Sequence, residues 1–184
     1  MEKRCLLLVA ALLMATTAIS AAGTDTKQMV AAKAIQQLTG EMRLKMSESL
    51  QKGGPAGAID VCAKDAPAIS SRIEGELGVT IRRTSLRLRN PQNAPDAAER
   101  RLLESLAASH KTGGQLAQGV TAFPADSNRF YKVITMERTC LACHGELATM
   151  SEAVRHQLSV TYPEDQSVGY REGDFRGIVS VRVK

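Results

Sequence analysis

The segment Cys140-Leu-Ala-Cys143-His144 confines two thiols and an imidazole to five consecutive residues, in a chain whose other cysteines are Cys5 and Cys62. If those residues form one helical turn, positions three apart project to the same side, so both sulfurs face one edge and the histidine follows directly beneath. The rest of the chain must therefore leave open space beside that turn. A run of strand-like composition, Arg129 to Met136, leads straight into it.

Composition says what the core around that space is made of. With no Trp, three Phe and three Tyr, it must be built from Leu, Ile, Val, Met and Ala, and a large flat apolar group would help to fill it. The C-x-x-C-H spacing is the attachment pattern for c-type haem, in which the two thiols form thioethers along one porphyrin edge and the histidine reaches the iron. A zinc half-site would need two further soft ligands, and Cys62, His110 and His156 show no second paired spacing. A thioredoxin-like dithiol would follow a βαβ unit, which is absent upstream. A disulfide across two intervening residues on a helical turn is strained. One covalently attached haem c is therefore expected, held by Cys140 and Cys143, with His144 as the proximal iron ligand.

Residues 1–22 read as an export signal: a basic start at Met1-Glu-Lys-Arg4, an apolar stretch from Cys5 to Ile19, and small residues at Ser20-Ala-Ala22. Cys5 lies too early to be a lipidation site after signal cleavage. A soluble periplasmic protein with no membrane span after cleavage is expected, a location that suits c-type attachment on the outer side of the inner membrane. The remaining segment, residues 23–184, is about 160 residues, the size of a single domain. The net charge of +5 is dispersed and no aromatic ladder accompanies it, which argues against nucleic acid as a partner.

Apolar residues at Val30, Ile35, Leu38, Met42, Met46 and Leu50 predict a long amphipathic helix from Thr24 to about residue 51, ended by Gly53-Gly54-Pro55. A second helix is expected over 56–76 and divided by Pro67. Val79 to Leu88 alternates with a change of phase at Arg82-Arg83, which predicts one irregular strand or two short ones, and Asn90-Pro91 reads as a turn. A third helix opens at Pro95, with Asn93 or Ala94 before it. After the cysteine cluster come a short helix near Ser151 to Leu158, a turn-rich YPEDQSVGYREGD, and a last strand from Gly177 to Val183. Helices first and strands mostly later imply an α+β domain with an antiparallel sheet.

Two thioethers leave Cys62 as an odd cysteine in an oxidising compartment. It is a buried inert thiol, half of a disulfide between two chains, or the sixth ligand of the iron; the residues leave all three open. Met29, Met42, Met46, Met136 and Met150 are rival thioether ligands, although methionines at helical spacing more often fill cores. A five-coordinate iron with an open position for a gas is a further alternative. Arg83, Arg87 and Arg89 are candidates to contact haem propionates, because a guanidinium fork suits a carboxylate.

The order of AIDVCAKDAP, RRTSLRLRNPQNAPDAAE, CLACHG and YPEDQSVGYREGDFRGIVSV resembles a family of exported haem c proteins with a PAS-like fold, one member of which was isolated in association with photosystem II. In that member a cysteine thiolate from an upstream helix and the histidine of C-x-x-C-H hold the iron, and the matching positions here are Cys62 and His144. The resemblance implies a monohaem c-type protein with low-potential His/Cys ligation, acting in one-electron transfer or redox sensing through a redox or signalling partner protein. The rival function is a haem-based gas or small-ligand sensor module working through a separate partner. No acid, base or substrate constellation beyond the haem points to an enzyme.

Overall fold

The computed structural model describes residues 2–124 and 126–184, with side chains from residue 25 onward; the side chains of the expected export signal, that of Cys5 among them, lie outside the described residues. Helix α1 (Glu2–Asp60) buries Ala31, Ala34, Ile35 and Leu38, a stripe at helical spacing in which alanines let the helix lie close to the sheet. Leu50, expected in that stripe, is exposed. At Gly53-Gly54-Pro55 the first helical run of α1 ends as expected: Gly54 leaves the helical backbone with φ +62°, and a second run starts at Pro55 across the kink. Proline suits that position because its missing N–H would have no partner in a first turn.

The division expected near Pro67 takes a particular form. Val61–Asp65 is a π-helical turn in which the Ala66 N–H bonds to the Val61 carbonyl five residues back. Pro67 lacks the N–H that would bond to residue 63 in a regular helix, so the widened turn sits where that bond is missing. Helix α2 (Ala66–Leu77) follows and buries Ala66, Ile69 and Ile73.

Four antiparallel strands form one sheet in the order β1-β4-β3-β2: β1 (Val79–Thr84), β2 (Val120–Phe123), β3 (Asp126–Thr135) and β4 (Phe175–Val183). One face packs Val79, Phe130, Val179 and Val181 against α1 and α2. The other packs Phe123, Tyr131 and Ile178 against Leu103 of helix α3 (Ala97–Lys111). Strand β4 is thus buried on both faces. The expected α+β, PAS-like class is the one found.

Three local expectations change. Residues 85–90 leave the sheet, so only the first half of the irregular strand survives. The chain turns away where it crosses β4 at Gly177: a Cβ there would lie 2.3 Å from the Thr84 carbonyl oxygen. Helix α3 starts two residues later than expected, with Asp96 as cap: its side chain accepts from the Glu99 N–H, and Glu99 accepts from the Asp96 N–H. Strand β2 was not expected, because four residues with little alternation give almost no signal in isolation.

Candidate cofactor cavity

The C-x-x-C-H segment forms the expected turn: Cys140 caps helix α4 (Leu141–His144), and the Gly145 N–H bonds back to the Leu141 carbonyl. Gly145 is needed for that closure, since a Cβ would lie 2.7 Å from the Leu141 oxygen. The turn is held from outside by the segment expected only to be turn-rich. The Gly169 N–H donates to the Gly145 carbonyl at 2.6 Å, and the Tyr170 N–H to the His144 carbonyl at 2.9 Å.

Arg89, 8% exposed, ties the two segments together. Its guanidinium donates to the Cys143 carbonyl, to the Ser167 carbonyl at 3.3 Å, and to Asp165 at 3.0 Å. Asp165 in turn accepts from the Ser167 N–H at 2.7 Å. The His144 ring is oriented by the same segment: Nδ1 lies 2.7 Å from the Ser167 carbonyl oxygen and 2.9 Å from its hydroxyl. A carbonyl only accepts, so the Nδ1 proton is the one that makes this bond, and Nε2 carries the lone pair. Burial, with Arg89 and Arg176 adding to it, lowers the His144 pKa to about 3, so the imidazole is neutral at physiological pH. Arg89 Nη1 stands 3.4 Å from Nε2 and is the group a metal there would displace.

Beside this turn lies a cavity of about 240 Å³. Cys62, Cys140 and His144 line it together, with Met42, Met136, Thr84 and Tyr162. Cys62 reaches it from the π-helical turn, a distortion that recurs at functional positions because it re-aims side chains. Cys143 faces the small cluster of Ile59, Met150, Val154, Leu158 and Tyr162, with its sulfur 3.8 Å from the Pro55 carbonyl oxygen. Burial pushes the Cys143 thiol up; Arg89 opposes this, and Cys62 and Cys140 add to it. All three thiols are free. His110 and His156 lie off the cavity lining, and His156 is exposed. Met29 is exposed, and Met150 packs in the small cluster.

The cavity lining contains Arg83, Arg89 and Arg176 and no Asp or Glu. Arg89 has Asp165. Arg83 and Arg176 make no ion pair among the described residues. Burial lowers the pKa of each, as expected of charges held from water without a close counter-ion. Arg87 is elsewhere: it is exposed, stacks 4.2 Å above the Tyr170 ring, and lines a separate groove. Thr84 Oγ1 is buried with no partner. Of the three arginines expected near a carboxylate, the structure therefore brings Arg83 and Arg89 to the cavity and leaves Arg87 outside. Arg176, Thr84, Ser167 and Asp165 belong to the site although no motif marked them. Asp165, Ser167 and Arg176 lie in YPEDQSVGYREGDFRGIVSV, and Thr84 in RRTSLRLRNPQNAPDAAE, tracts marked as belonging together only through the resemblance.

These donors suit a flat anionic group better than a bare ion, because among the described residues no three His, Cys, Asp or Glu side chains converge as ligands. A PAS-like α+β domain with thiol and imidazole donors on an arginine-lined cavity is the class of protein that fold and site define. Residues 18–184 match the Tll0287-like family, and the chain belongs to that family. Among solved structures the chain is similar to the cyanobacterial heme-protein Tll0287, with a TM-score of 0.60 and 24% identity over 82% of this chain and 90% of that one. No curated protein matches.

Proposed function

We propose that residues 1–22 direct export to the periplasm and that residues 23–184 carry one covalently attached haem c, acting in one-electron transfer or redox sensing. In this reading Cys140 and Cys143 form the thioethers, His144 is the proximal ligand and Cys62 the distal one. The observation that carries it is the joint placement of Cys62, Cys140 and His144 on one acid-free, arginine-lined cavity. The likeness to a structure described as a heme-protein supports the same reading.

Bound there, a haem supplies Fe(III)/Fe(II) chemistry and brings two carboxylates. The protein's own groups are prepared for it. Ser167 fixes the imidazole so that Nε2 is the ligating nitrogen, the usual arrangement behind a metal-bound histidine. Arg176, without an ion pair among the described residues, offers a carboxylate a counter-charge, and the Thr84 hydroxyl offers a hydrogen bond. A thiolate at Cys62 stabilises ferric iron and so lowers the reduction potential well below that of His/Met cytochromes c. The electrons come from, or signal to, a separate partner protein. Among the described residues no helix is long and apolar enough to cross a membrane.

The test is expression of the full chain with a c-type maturation system. The expected product begins after residue 22, keeps its haem on denaturation, shows a low-spin thiolate spectrum that Cys62→Ala abolishes, and titrates at low potential. Haem lost on denaturation would overturn the covalent assignment. An unchanged Cys62→Ala spectrum would remove Cys62 from the iron.

A further inference from the structure

Three sulfur side chains besides the thioether cysteines reach the haem cavity or its floor: Cys62, Met42 and Met136. Cys62 is an anionic donor when ionised and suits ferric iron. A methionine thioether is neutral and soft, and suits the less charged ferrous iron. Met42 is singled out by its contact. It comes from α1, and Arg83 Nη1 donates to its sulfur at 3.3 Å, so that the lone pair a metal would use is occupied by a guanidinium inside the cavity.

Arg83 also shares the cavity lining with Cys62 and interacts with it by charge; Tyr162 acts on Arg83 in the same sense and Arg176 opposes it. The lining holds no carboxylate, and Arg89 is already held by Asp165. One guanidinium therefore touches a thioether and shares the cavity with a thiol that would attract it if that thiol were an anion. Its two engagements compete: pairing with a free Cys62 thiolate takes Arg83 off the Met42 sulfur.

We propose that Met42 is a second distal ligand, that it replaces Cys62 on the iron upon reduction, and that Arg83 is the positioning residue for the exchange. The proposal rests on the haem reading above. An external one-electron donor, a redox partner protein or dithionite, reduces Fe(III) to Fe(II). The Fe–S bond to Cys62 breaks with both electrons staying on the sulfur, and the thiolate pairs with Arg83. The Met42 sulfur, released by Arg83, donates its lone pair to the iron. No proton moves, and the positive charge the iron site loses on reduction is matched by keeping the thiolate beside a cation. Such a site changes shape with oxidation state, since α1 gains the iron and the π-helical turn loses it.

The experiment compares the wild-type holoprotein with Met42→Leu, Met136→Leu, Arg83→Gln and Cys62→Ala, by visible, near-infrared and spin-resonance spectra in both oxidation states and by carbon monoxide binding to the ferrous form. Met42→Leu conserves volume and is tolerated in packed positions, and its thermal midpoint checks folding. Expected are an unchanged ferric spectrum in Met42→Leu, loss of the ferrous thioether signature, carbon monoxide binding at least tenfold faster than in wild type, and a reduction equilibrium lowered at least tenfold, 59 mV for a one-electron couple. Met136→Leu behaves as wild type. Arg83→Gln, which strands the released thiolate, keeps Cys62 on ferrous iron. A ferrous spectrum in Met42→Leu identical to wild type overturns the exchange, as does loss of the thioether signature in Met136→Leu alone. Exchange in Arg83→Gln equal to wild type overturns the role of Arg83. If instead Cys62→Ala leaves the ferric spectrum unchanged, it is the His/Cys reading that fails.

Discussion

At the scale of single residues, the site depends on Arg89 more than its place in an arginine-rich run suggests. Arg89 and Asp165 are each 8% exposed and bonded at 3.0 Å, so neither charge has water to fall back on. Arg89→Met keeps much of the stem's packing and leaves the Asp165 carboxylate buried alone, a change that costs about 3–5 kcal/mol when one partner of a buried pair is removed. Urea unfolding of the variant against wild type measures that loss; a change below about 1 kcal/mol would mean that water reaches Asp165. The sequence made Arg89 a candidate for a haem carboxylate, on the ground that guanidinium forks suit carboxylates. The guanidinium fork does take a carboxylate here, that of Asp165, a partner no local reading could supply because it lies 76 residues away. Cys140, Cys143 and His144 were legible because their relation is local, whereas the contacts of Ser167 and Asp165 exist only once the segment 162–170 lies across the turn.

At the scale of elements, the π-helical turn decides where Cys62 points. A residue inserted into a helix rotates the preceding segment by about 100° relative to the succeeding one. Both flanking runs are anchored, the one from Pro55 to Asp60 through Ala58 and Ile59 and α2 through Ile69 and Ile73, so the rotation is absorbed at Val61–Asp65. Deleting the exposed Lys64 removes the extra residue and restores a regular register. The expected outcome is a protein with unchanged far-ultraviolet circular dichroism that has lost the low-spin thiolate signature in the ferric state. Retention of that signature would show that the widened turn does not aim Cys62. The break at Pro67 was legible, because proline's missing donor is a local fact; the widening was not, because it answers to two packing interfaces at once. Strand β2 escaped for a related reason. It is specified by pairing with β3, where Val120 meets Lys132 and Ala122 meets Phe130, more than by its own four residues.

At the scale of the whole molecule, the sheet and helices enclose a cavity lined by three arginines of which Arg89 alone has an ion pair among the described residues, with Asp165. Arg83 and Arg89 both push the Arg176 pKa down, so the cations oppose one another where burial already disfavours charge. Fold and prosthetic group are then thermodynamically linked: whatever anion enters binds the native state and not the unfolded chain, and stabilises it by mass action. A haem-free form, Cys140→Ala/Cys143→Ala, should therefore bind small dianions where a haem's carboxylates would sit. At sulfate ten times its dissociation constant the gain is about 1.4 kcal/mol. Sulfate also stabilises proteins generally by exclusion from their surface, so the comparison is with the same form carrying Arg83→Gln and Arg176→Gln, which feels only the general effect. Thermal midpoints across a sulfate series should separate the two, with the arginine-bearing form rising more steeply. The haem-loaded wild type, whose arginines already have partners, should track the shallower curve. Equal slopes in all three would mean that the cavity's charge is balanced by solvent and that the arginines serve packing alone.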